Sequence, residues 1–245
     1  MNEGLPLAGV AADRLADVWV YLSASPLLGL TVTLLVYHGA FVAYRKSGFH
    51  PLANPVALSV IVLGALLWAT GTPYATYFEG AQFVHFLLGP ATVALAVPLF
   101  EQLHRLRRLA LPLLAALVAG ALAAAATAIV VAWALGASPA TMASLAPKSV
   151  TMPVAMGISE KIAGLPSLTA VLVISTGIIG AVFARYLYRW LRIDDDAVRG
   201  FAIGIASHGI GTARAFQVSE QAGAFAALAM GLNGLVTAVS LPWIM

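Results

Sequence analysis

The sequence predicts an all-α, polytopic membrane protein with about six spanning helices, two broken or re-entrant polar elements and an internal repeat. The chain has 245 residues, of which 61% are hydrophobic and only 9% are charged. Its mean hydropathy of +0.92 is too high for a soluble domain. Apolar segments long enough to cross a bilayer recur along it, and two of the stretches between them are too polar to be simple spans.

Six apolar segments meet the length that a spanning helix needs. They are residues 26–43, 54–70, 81–100, 109–136, 166–188 and 223–244. Most basic residues fall in three of the breaks between them, at 44–51, 101–108 and 185–199. The positive-inside rule places these three loops in the cytoplasm and the N-terminus outside. We therefore expect a multi-pass protein of a bacterial-type inner (plasma) membrane.

The chain is predicted to have two domains, an N-terminal segment at residues 1–23 and a transmembrane domain at residues 24–245. Within the first, residues 6–23 have the pattern of a short amphipathic helix that lies in the membrane interface. A poorly ordered terminus is an equal alternative. Acidic residues near the start argue against a signal peptide, which needs a basic start followed by an apolar stretch.

Counting membrane sides predicts the behaviour of two polar stretches. Residues 141–164 lie between two spans and must leave and return to the same side, so we expect them to re-enter from outside. Residues 199–222 follow a cytoplasmic loop and are expected to dip in from the inside. The alternative is that both are full but broken helices. Two such elements entering from opposite faces predict a transport site near the midplane.

A weak internal repeat relates LGPATVALAVPL (88–99) to LAPKSVTMPVAM (145–156) at a spacing of 57 residues. The same spacing carries residues 109–133 onto 166–190. Transporter halves often show symmetry of this kind.

Prolines and glycines in these elements predict helix breaks. Pro90 is either a simple kink or the start of a second half-helix, whose free N–H groups would attract a carboxylate. Pro147 fits the same picture. The predicted breaks are Gly89, Pro90, Pro147, Gly209 and Gly211.

Polar residues near these breaks are the candidate ligands of a small anion. Lys148 either pairs with a substrate carboxylate or extends to the outer interface. Arg214 either binds the carboxylate through its guanidinium fork or pairs with Glu220 or Glu160 to hold the fold. Asn233 bonds a neighbouring helix or faces the cavity. The candidate substrate-binding residues are Thr92, Lys148, Ser149, Thr151, Ser207, His208, Gly209, Thr212, Arg214 and Asn233.

No catalytic, metal or cofactor site is predicted. Ser207 and His208 are adjacent, so on a helix they would not face each other as a nucleophile and its base. This leaves an intramembrane hydrolase poorly supported. Cysteine is absent and the five histidines are far apart, so no zinc motif is present. The net charge of +3 is divided among short loops and does not suggest nucleic acid.

Four segments closely resemble the LrgB/CidB family, over about residues 24–245. They are YFEGAQFVHFLLGPATVALAVPLF, SLAPKSVTMPVAMGISEKIAGLPSLTAVLVISTGIIGA, RGFAIGIASHGIGTARAF and FAALAMGLNGLVTA. The resemblance implies one of two functions. The family was first described as antiholin-like, or as regulating murein hydrolase export with a small LrgA/CidA partner. Its plastid member is a glycolate/glycerate translocator, and bacterial members are linked to small monocarboxylates such as pyruvate.

The residues themselves favour transport, because a lytic pore does not need helix starts, hydroxyls and a buried cation. We expect a secondary transporter of small monocarboxylates of the glycolate, glycerate, lactate or pyruvate type, with elevator-like alternating access. The alternative is a holin/antiholin-like regulator of murein hydrolase export and cell lysis. The expected partners are a small carboxylate anion, the lipid bilayer, a second copy of the chain in a homodimer, and an LrgA/CidA-like membrane protein. The coupling ion stays open.

Overall fold

The computed structural model describes residues 26–245, and the predicted segment 1–23 lies outside them. The described residues form helices joined by turns and divide into two compact units, the first extending to Val93 and the second running from Ala94 to Met245. Among these residues, five helical stretches are long and apolar enough to cross a membrane, and one more apolar helix is shorter. One of the five is the run of short helices from Tyr74 to Glu101. The all-α, polytopic membrane fold is thereby confirmed.

The first unit consists of helices packed around the N-terminal span. A small-residue contact joins α1 (Pro26–Lys46) to α3 (Tyr74–Phe86), because an added Cβ at Gly29 would lie 2.9 Å from the backbone of Gly80 and Ala81. Thr33 and Tyr77 share a hydrogen bond of 2.6 Å between their hydroxyls in the same contact. The elements are α1 (Pro26–Lys46), a short 3-10 helix (Pro51–Ala53), α2 (Pro55–Thr70) and α3 (Tyr74–Phe86), with α4 (Leu88–Ala94) at the boundary.

Two prolines interrupt the predicted span at residues 81–100. Helix α3 ends at Phe86 and helix α4 ends at Ala94, in each case four residues before a proline, Pro90 or Pro98. A proline has no N–H to donate to the carbonyl four residues earlier, so the helical ladder loses a bond at these two places.

The second unit contains three long spans and two broken elements. Its long helices are α7 (Ala110–Ala134), α10 (Pro166–Trp190) and α12 (Glu220–Ile244). Its shorter helices are α5 (Ala96–Glu101), α6 (Leu103–Arg108), α8 (Pro139–Leu145) and α9 (Met152–Lys161), and α11 (Asp196–Phe216) is broken within.

The first broken element, residues 139–161, is a hairpin made of α8, a non-helical stretch at 146–151 and α9. The last turn of α8 lies beside the chain that follows α9, because the Leu165 N–H donates to Ser144 Oγ at 2.8 Å. Thr169 Oγ1 donates to the Ser144 carbonyl at 3.1 Å and to Ser159 Oγ at 2.7 Å. This buried network ties both arms to the start of α10, so the chain folds back on itself between Ser144 and Ser159. We call it the first hairpin.

The second broken element is α11, and it also reverses. An added Cβ at Gly211 would lie 2.7 Å from the Ile203 carbonyl oxygen, whereas eight residues of straight helix span about 12 Å. The residue that follows its far arm returns to its start, since Ser219 Oγ donates to Asp196 Oδ2 at 2.7 Å. We call residues 196–216 the second hairpin. Both polar elements therefore fold back on themselves, as the re-entrant prediction expects, and neither continues straight as a broken spanning helix would.

A hairpin followed by a 25-residue helix occurs twice in the second unit. Pro166 and Glu220 begin the two helices, Trp190 and Ile244 end them, and each pair is 54 positions apart. Helix α10 ends where α12 begins, so the two copies are inverted. The repeat predicted at 57 residues instead pairs helical residues 88–94 with the non-helical stretch of the first hairpin. The second part of that alignment does match in structure, because α7 and α10 both have 25 residues and begin 56 positions apart.

Small residues let the second hairpin approach α12 closely. An added Cβ at Gly200 would overlap the Ala222 carbonyl, and one at Gly204 would overlap the Ala226 carbonyl. The facing residues of α12 from Ala222 to Ala227 are all buried. Backbones in such contact pack tightly without large side chains, as is usual between membrane helices.

Charged residues gather at the end of the second unit where α6 and α10 finish and α11 and α12 begin, which we call the basic end. Asp195 caps α11, since its Oδ1 accepts from the N–H groups of Ala197 at 2.8 Å and Val198 at 3.1 Å. Its Oδ2 pairs with Arg105 at 2.8 Å. The hydrogen bond from the Val198 N–H, with smaller help from Ala197 and Arg105, holds the pKa of Asp195 below its usual value.

Replacing Asp195 with alanine removes the cap, and we expect the free energy of unfolding to fall by about 1 kcal/mol. D195N keeps a capping oxygen and should recover most of this loss in thermal unfolding followed in detergent. Because the folded-state pKa is lowered, the charged contribution is complete above the unfolded pKa of about 3.9 and disappears as pH falls through the folded value. Equal losses in D195A and D195N would show that the cap contributes nothing.

Candidate functional site

The two hairpin tips meet at one side chain, Asn233, near the middle of α12. Its Nδ2 donates to the carbonyl of Ser149 in the first hairpin at 3.3 Å and to that of Ile205 in the second at 3.1 Å. Its Oδ1 accepts from Thr237 Oγ1 at 3.4 Å, and only 1% of Asn233 is exposed. The amide thus satisfies backbone carbonyls that the two helix breaks leave without helical partners. We call residues 147–151, residues 205–209 and Asn233 the tip site.

The second hairpin turns at Ser207 and His208. Ser207 has φ −132° and ψ 16°, and His208 has φ 40° and ψ −134°, a left-handed conformation that is costly for a residue other than glycine. Contacts with neighbouring helices hold it. His208 Nε2 lies 2.9 Å from the Val173 carbonyl of α10, and Thr212 Oγ1 donates to the His208 carbonyl at 2.9 Å.

Two glycines of α10 make room for this turn. An added Cβ at Gly177 would lie 2.8 Å from His208 Cε1, and one at Gly180 would lie 2.8 Å from Ser207 Cβ. Ser207 is 1% exposed, and its hydroxyl has no hydrogen-bond partner among the described residues. A buried hydroxyl in this condition has bonding capacity left for a ligand or water.

The tip of the first hairpin carries a cation. Lys148 is half-buried, and its Nζ lies 3.4 Å from the hydroxyl of Ser149, which is itself buried. Within residues 26–245, Lys148 forms no ion pair with a carboxylate. Helix α9 begins at Met152, five positions after the predicted start at Pro147, with Pro153 in its first turn. Thr151 is the N-cap residue, but its hydroxyl makes no capping bond.

The other predicted residues lie in the second hairpin and on α4. Gly209 and Gly211 follow the turn, which occurs at Ser207 and His208, and Gly211 allows the two arms to touch. Thr92 is exposed on α4 in the first unit, where Gly89 and Pro90 lie in the first turn of the same helix. A role for Thr92 and Gly209 in binding stays a prediction.

Arg214 lies at the basic end and not at the tips. It is half-buried, and its Nη1 donates to Gln217 Oε1 at 3.2 Å. It lines a cavity of about 500 Å³ between α10 and the second hairpin. Five guanidinium groups line this space, which we call the arginine cavity. They belong to Arg185, Arg189, Arg192, Arg199 and Arg214.

Ser207 and His208 are not paired with each other, because the Ser207 hydroxyl has no hydrogen-bond partner among the described residues and His208 Nε2 lies against the Val173 carbonyl. In the part of the chain that the structure describes, no group of three His, Asp or Glu side chains could hold a metal ion. The tip site instead combines a cation, serine hydroxyls and opened helix ends. These groups suit a small anion with a further hydrogen-bonding oxygen.

Comparison with known proteins supports the resemblance predicted from sequence. The model of the LrgB-like family matches residues 33–245. The chain belongs to the LrgB-like family. An uncharacterized protein, YwbG, of Bacillus subtilis is 34% identical over 89% of this chain and 97% of its own length. The antiholin-like protein LrgB of Bacillus mycoides is 30% identical over 90% of this chain and 96% of its own. No solved structure matches the chain significantly.

Several residues of this LrgB-like chain were missed by sequence reasoning. Gly177 and Gly180 contact the second tip, and a Gly-x-x-Gly pattern recurs 54 positions later at Gly231 and Gly234. That recurrence could have revealed the repeat. The network of Ser144, Ser159 and Thr169 and the arginine cavity form only where the chain reverses. Local sequence does not reveal where these contacts form.

We expect Gly180→Ala to disturb the second tip, because the new methyl group would overlap the Ser207 side chain. Overpacking of this kind costs about 1–3 kcal/mol. Gly234→Ala is the matched control, since Gly234 is the repeat counterpart and has open space around it. Thermal unfolding should show a lower Tm for G180A and an unchanged or higher one for G234A. Equal behaviour of the two variants would contradict the contact.

Asn233→Ala should leave the Ser149 and Ile205 carbonyls without their donor in a buried site. Each unsatisfied group costs about 1–3 kcal/mol, so we expect a clear drop in Tm. Ser240→Ala on the same helix is the control, because Ser240 Oγ donates only to the carbonyl one turn earlier. In N233A, hydrogen exchange of the backbone around 147–151 and 205–209 should also become faster. Unchanged exchange at both tips would rule out the bridge.

Proposed function

We propose that this protein is a secondary transporter of small monocarboxylates of the glycolate, glycerate, lactate or pyruvate type, with the tip site as its binding site. The observation that carries this proposal is Lys148. It is a half-buried cation at a hairpin tip, it pairs with no carboxylate within residues 26–245, and it lies beside Ser149. Burying an ionisable group inside a membrane protein is energetically costly, so such a group usually marks a functional site.

The depth of Lys148 supports substrate binding over extension to the interface. Its neighbour Ser149 is bonded to Asn233, which is eleven residues before the end of α12 at Ile244. At 1.5 Å per residue, this is about 16 Å from the helix end. A lysine side chain is much shorter than that distance. The ammonium group is therefore available to an anion within the protein.

The second tip supplies a complementary group. Ser207 is buried without a hydrogen-bond partner in the described structure, and Asn233 connects its hairpin to the one that carries Lys148. A 2-hydroxy or 2-oxo acid has a carboxylate for a cation and a second oxygen for a hydroxyl. Two separate polar groups on two hairpins match that pattern.

The inverted arrangement supports alternating access. One hairpin enters from the basic end and the other from the opposite end, so each tip covers the site from one side. We propose elevator-like movement of the second unit in a homodimer, in the plasma membrane of a bacterium, with the basic end in the cytoplasm and the N-terminus outside. These five assignments are part of the proposal and depend on it.

The names of relatives favour a second candidate function. Several related proteins are named antiholin-like, such as that of Bacillus cereus at 30% identity. A holin/antiholin-like regulator of murein hydrolase export would act through an LrgA/CidA-like partner. It would have no need of Lys148 or Ser207, and a lytic pore would release solutes without chemical selection.

The deciding experiment uses proteoliposomes loaded with unlabelled glycolate. We expect uptake of labelled glycolate, glycerate, lactate or pyruvate by exchange, with no release of carboxyfluorescein. Lys148→Met should abolish exchange, and Lys161→Met, at the exposed end of α9, should not. Ser207→Ala should lower exchange at least several-fold, and Ser175→Ala on α10 should leave it unchanged because the Ser175 hydroxyl bonds only its own helix.

Folded protein that exchanges none of the four acids would refute the transport function. Dye release that K148M and S207A leave intact would favour the lytic alternative. Exchange that survives both substitutions would keep transport but remove it from the tip site.

A further inference from the structure

The arginine cavity has a strong excess of positive charge. Asp194 is the one carboxylate among the residues that line it, and Asp194 already pairs with Arg199 at 2.8 Å. Asp196 also lies 3.8 Å from Arg199. In the part of the chain that the structure describes, Arg185, Arg189 and Arg192 form no ion pair. The cavity therefore holds several guanidinium groups whose charge no protein carboxylate neutralises.

Arg185 and Arg189 lie one turn apart on the side of α10 that lines the cavity, where both are exposed to solvent. Arg192 lines the same cavity from just beyond the end of the helix at Trp190. The aromatic and aliphatic residues Phe183, Leu187 and Trp190 are exposed on the other side of the helix. Basic residues that only set the orientation in the membrane could lie on any side of the helix. Their position on the wall that faces the second hairpin therefore suggests a further role.

The same face of α10 leads to the tip site. Gly180 contacts Ser207, and the next residues along this face, Ala181 and Ala184, form the wall of the cavity. Ile203, one turn before Ser207 in the second hairpin, lines it from the opposite side. Small side chains thus separate the deepest part of the cavity from the unpartnered Ser207 hydroxyl.

We propose that the arginine cavity is the entrance to the tip site from the basic end, where it captures carboxylate anions from water and repels cations. The identity of the anion rests on the proposed transport function, whereas the capture of anions does not. A cleft lined by one sign of charge between low-dielectric walls focuses its field and raises the local concentration of the opposite ion. Arg214, predicted as a ligand, then acts at the entrance.

Cysteine accessibility tests the capture of anions without any transport. The sequence contains no cysteine, so a single introduced thiol reports alone. Ala184→Cys places it in the cavity wall, and Ala137→Cys places a control thiol of similar exposure in the loop between α7 and α8. Each variant, in neutral detergent, is treated with an anionic sulfonatoethyl or a cationic trimethylammonium-ethyl methanethiosulfonate.

We expect the ratio of the anionic to the cationic reaction rate to be on the order of tenfold higher in A184C than in A137C. Added salt should reduce this excess. Adding R185Q, R189Q and R192Q to A184C should lower the ratio to that of A137C. If the triple change does not fold, R189Q alone should lower it part of the way. Equal ratios in A184C and A137C, or an A184C thiol that does not react, would overturn the proposal.

Transport measurements then test the role as an entrance. In otherwise wild-type protein, the three glutamine substitutions should raise the KM for the exchanged acid several-fold at low salt while leaving kcat unchanged. An unchanged KM would overturn the entrance. Preference for the anionic reagent together with no exchange by wild-type protein would refute the proposed transport function and leave the anion cavity in place.

Discussion

The rest of the second unit depends on one side chain that holds two helix breaks together. Each hairpin tip opens the backbone deep inside an apolar protein, where unpaired carbonyls are costly. Asn233 donates to one carbonyl from each tip, so its amide offsets part of that cost and fixes where the tips meet. Because Asn233 lies on the helix that follows the second hairpin, the position of the first hairpin relative to the second depends on this contact.

The inverted repeat explains why the two hairpin tips meet at this contact. Two copies of hairpin and helix face opposite ways, so the backbones of both tips, one next to Lys148 and the other near Ser207, reach the same asparagine. Glycines on the long helix of the first copy accept the second tip, whereas their counterparts on α12 have open space beside them. The two copies are therefore not equivalent, and the proposed site is asymmetric, as a substrate with different ends requires.

Hydropathy and the count of membrane crossings predict much of this fold. Bilayer thickness sets the length of each spanning helix, and basic loops set its direction across the membrane. The same count predicts that residues 199–222 turn back, and the structure shows this reversal, because Ser219 bonds Asp196 at the start of the second hairpin. The sequence does not predict where the second hairpin turns. Glycine preference points to Gly209 and Gly211, but the turn lies at Ser207 and His208 because Gly177, Gly180 and the Val173 carbonyl on α10 hold it there. Arg214 is near the breaks in sequence, yet reversal of the second arm carries it to the basic end.

A structure determined with a bound two- or three-carbon carboxylate tests the central claim most directly. We expect density for the acid at the tip site, with its carboxylate within hydrogen-bonding distance of Lys148 and its second oxygen next to Ser207. Soaking at increasing salt should empty the arginine cavity before this position. An acid bound only among the arginines, with the tips unaltered and Lys148 without contact to it, would contradict the claim that the meeting point of the hairpins is the substrate site.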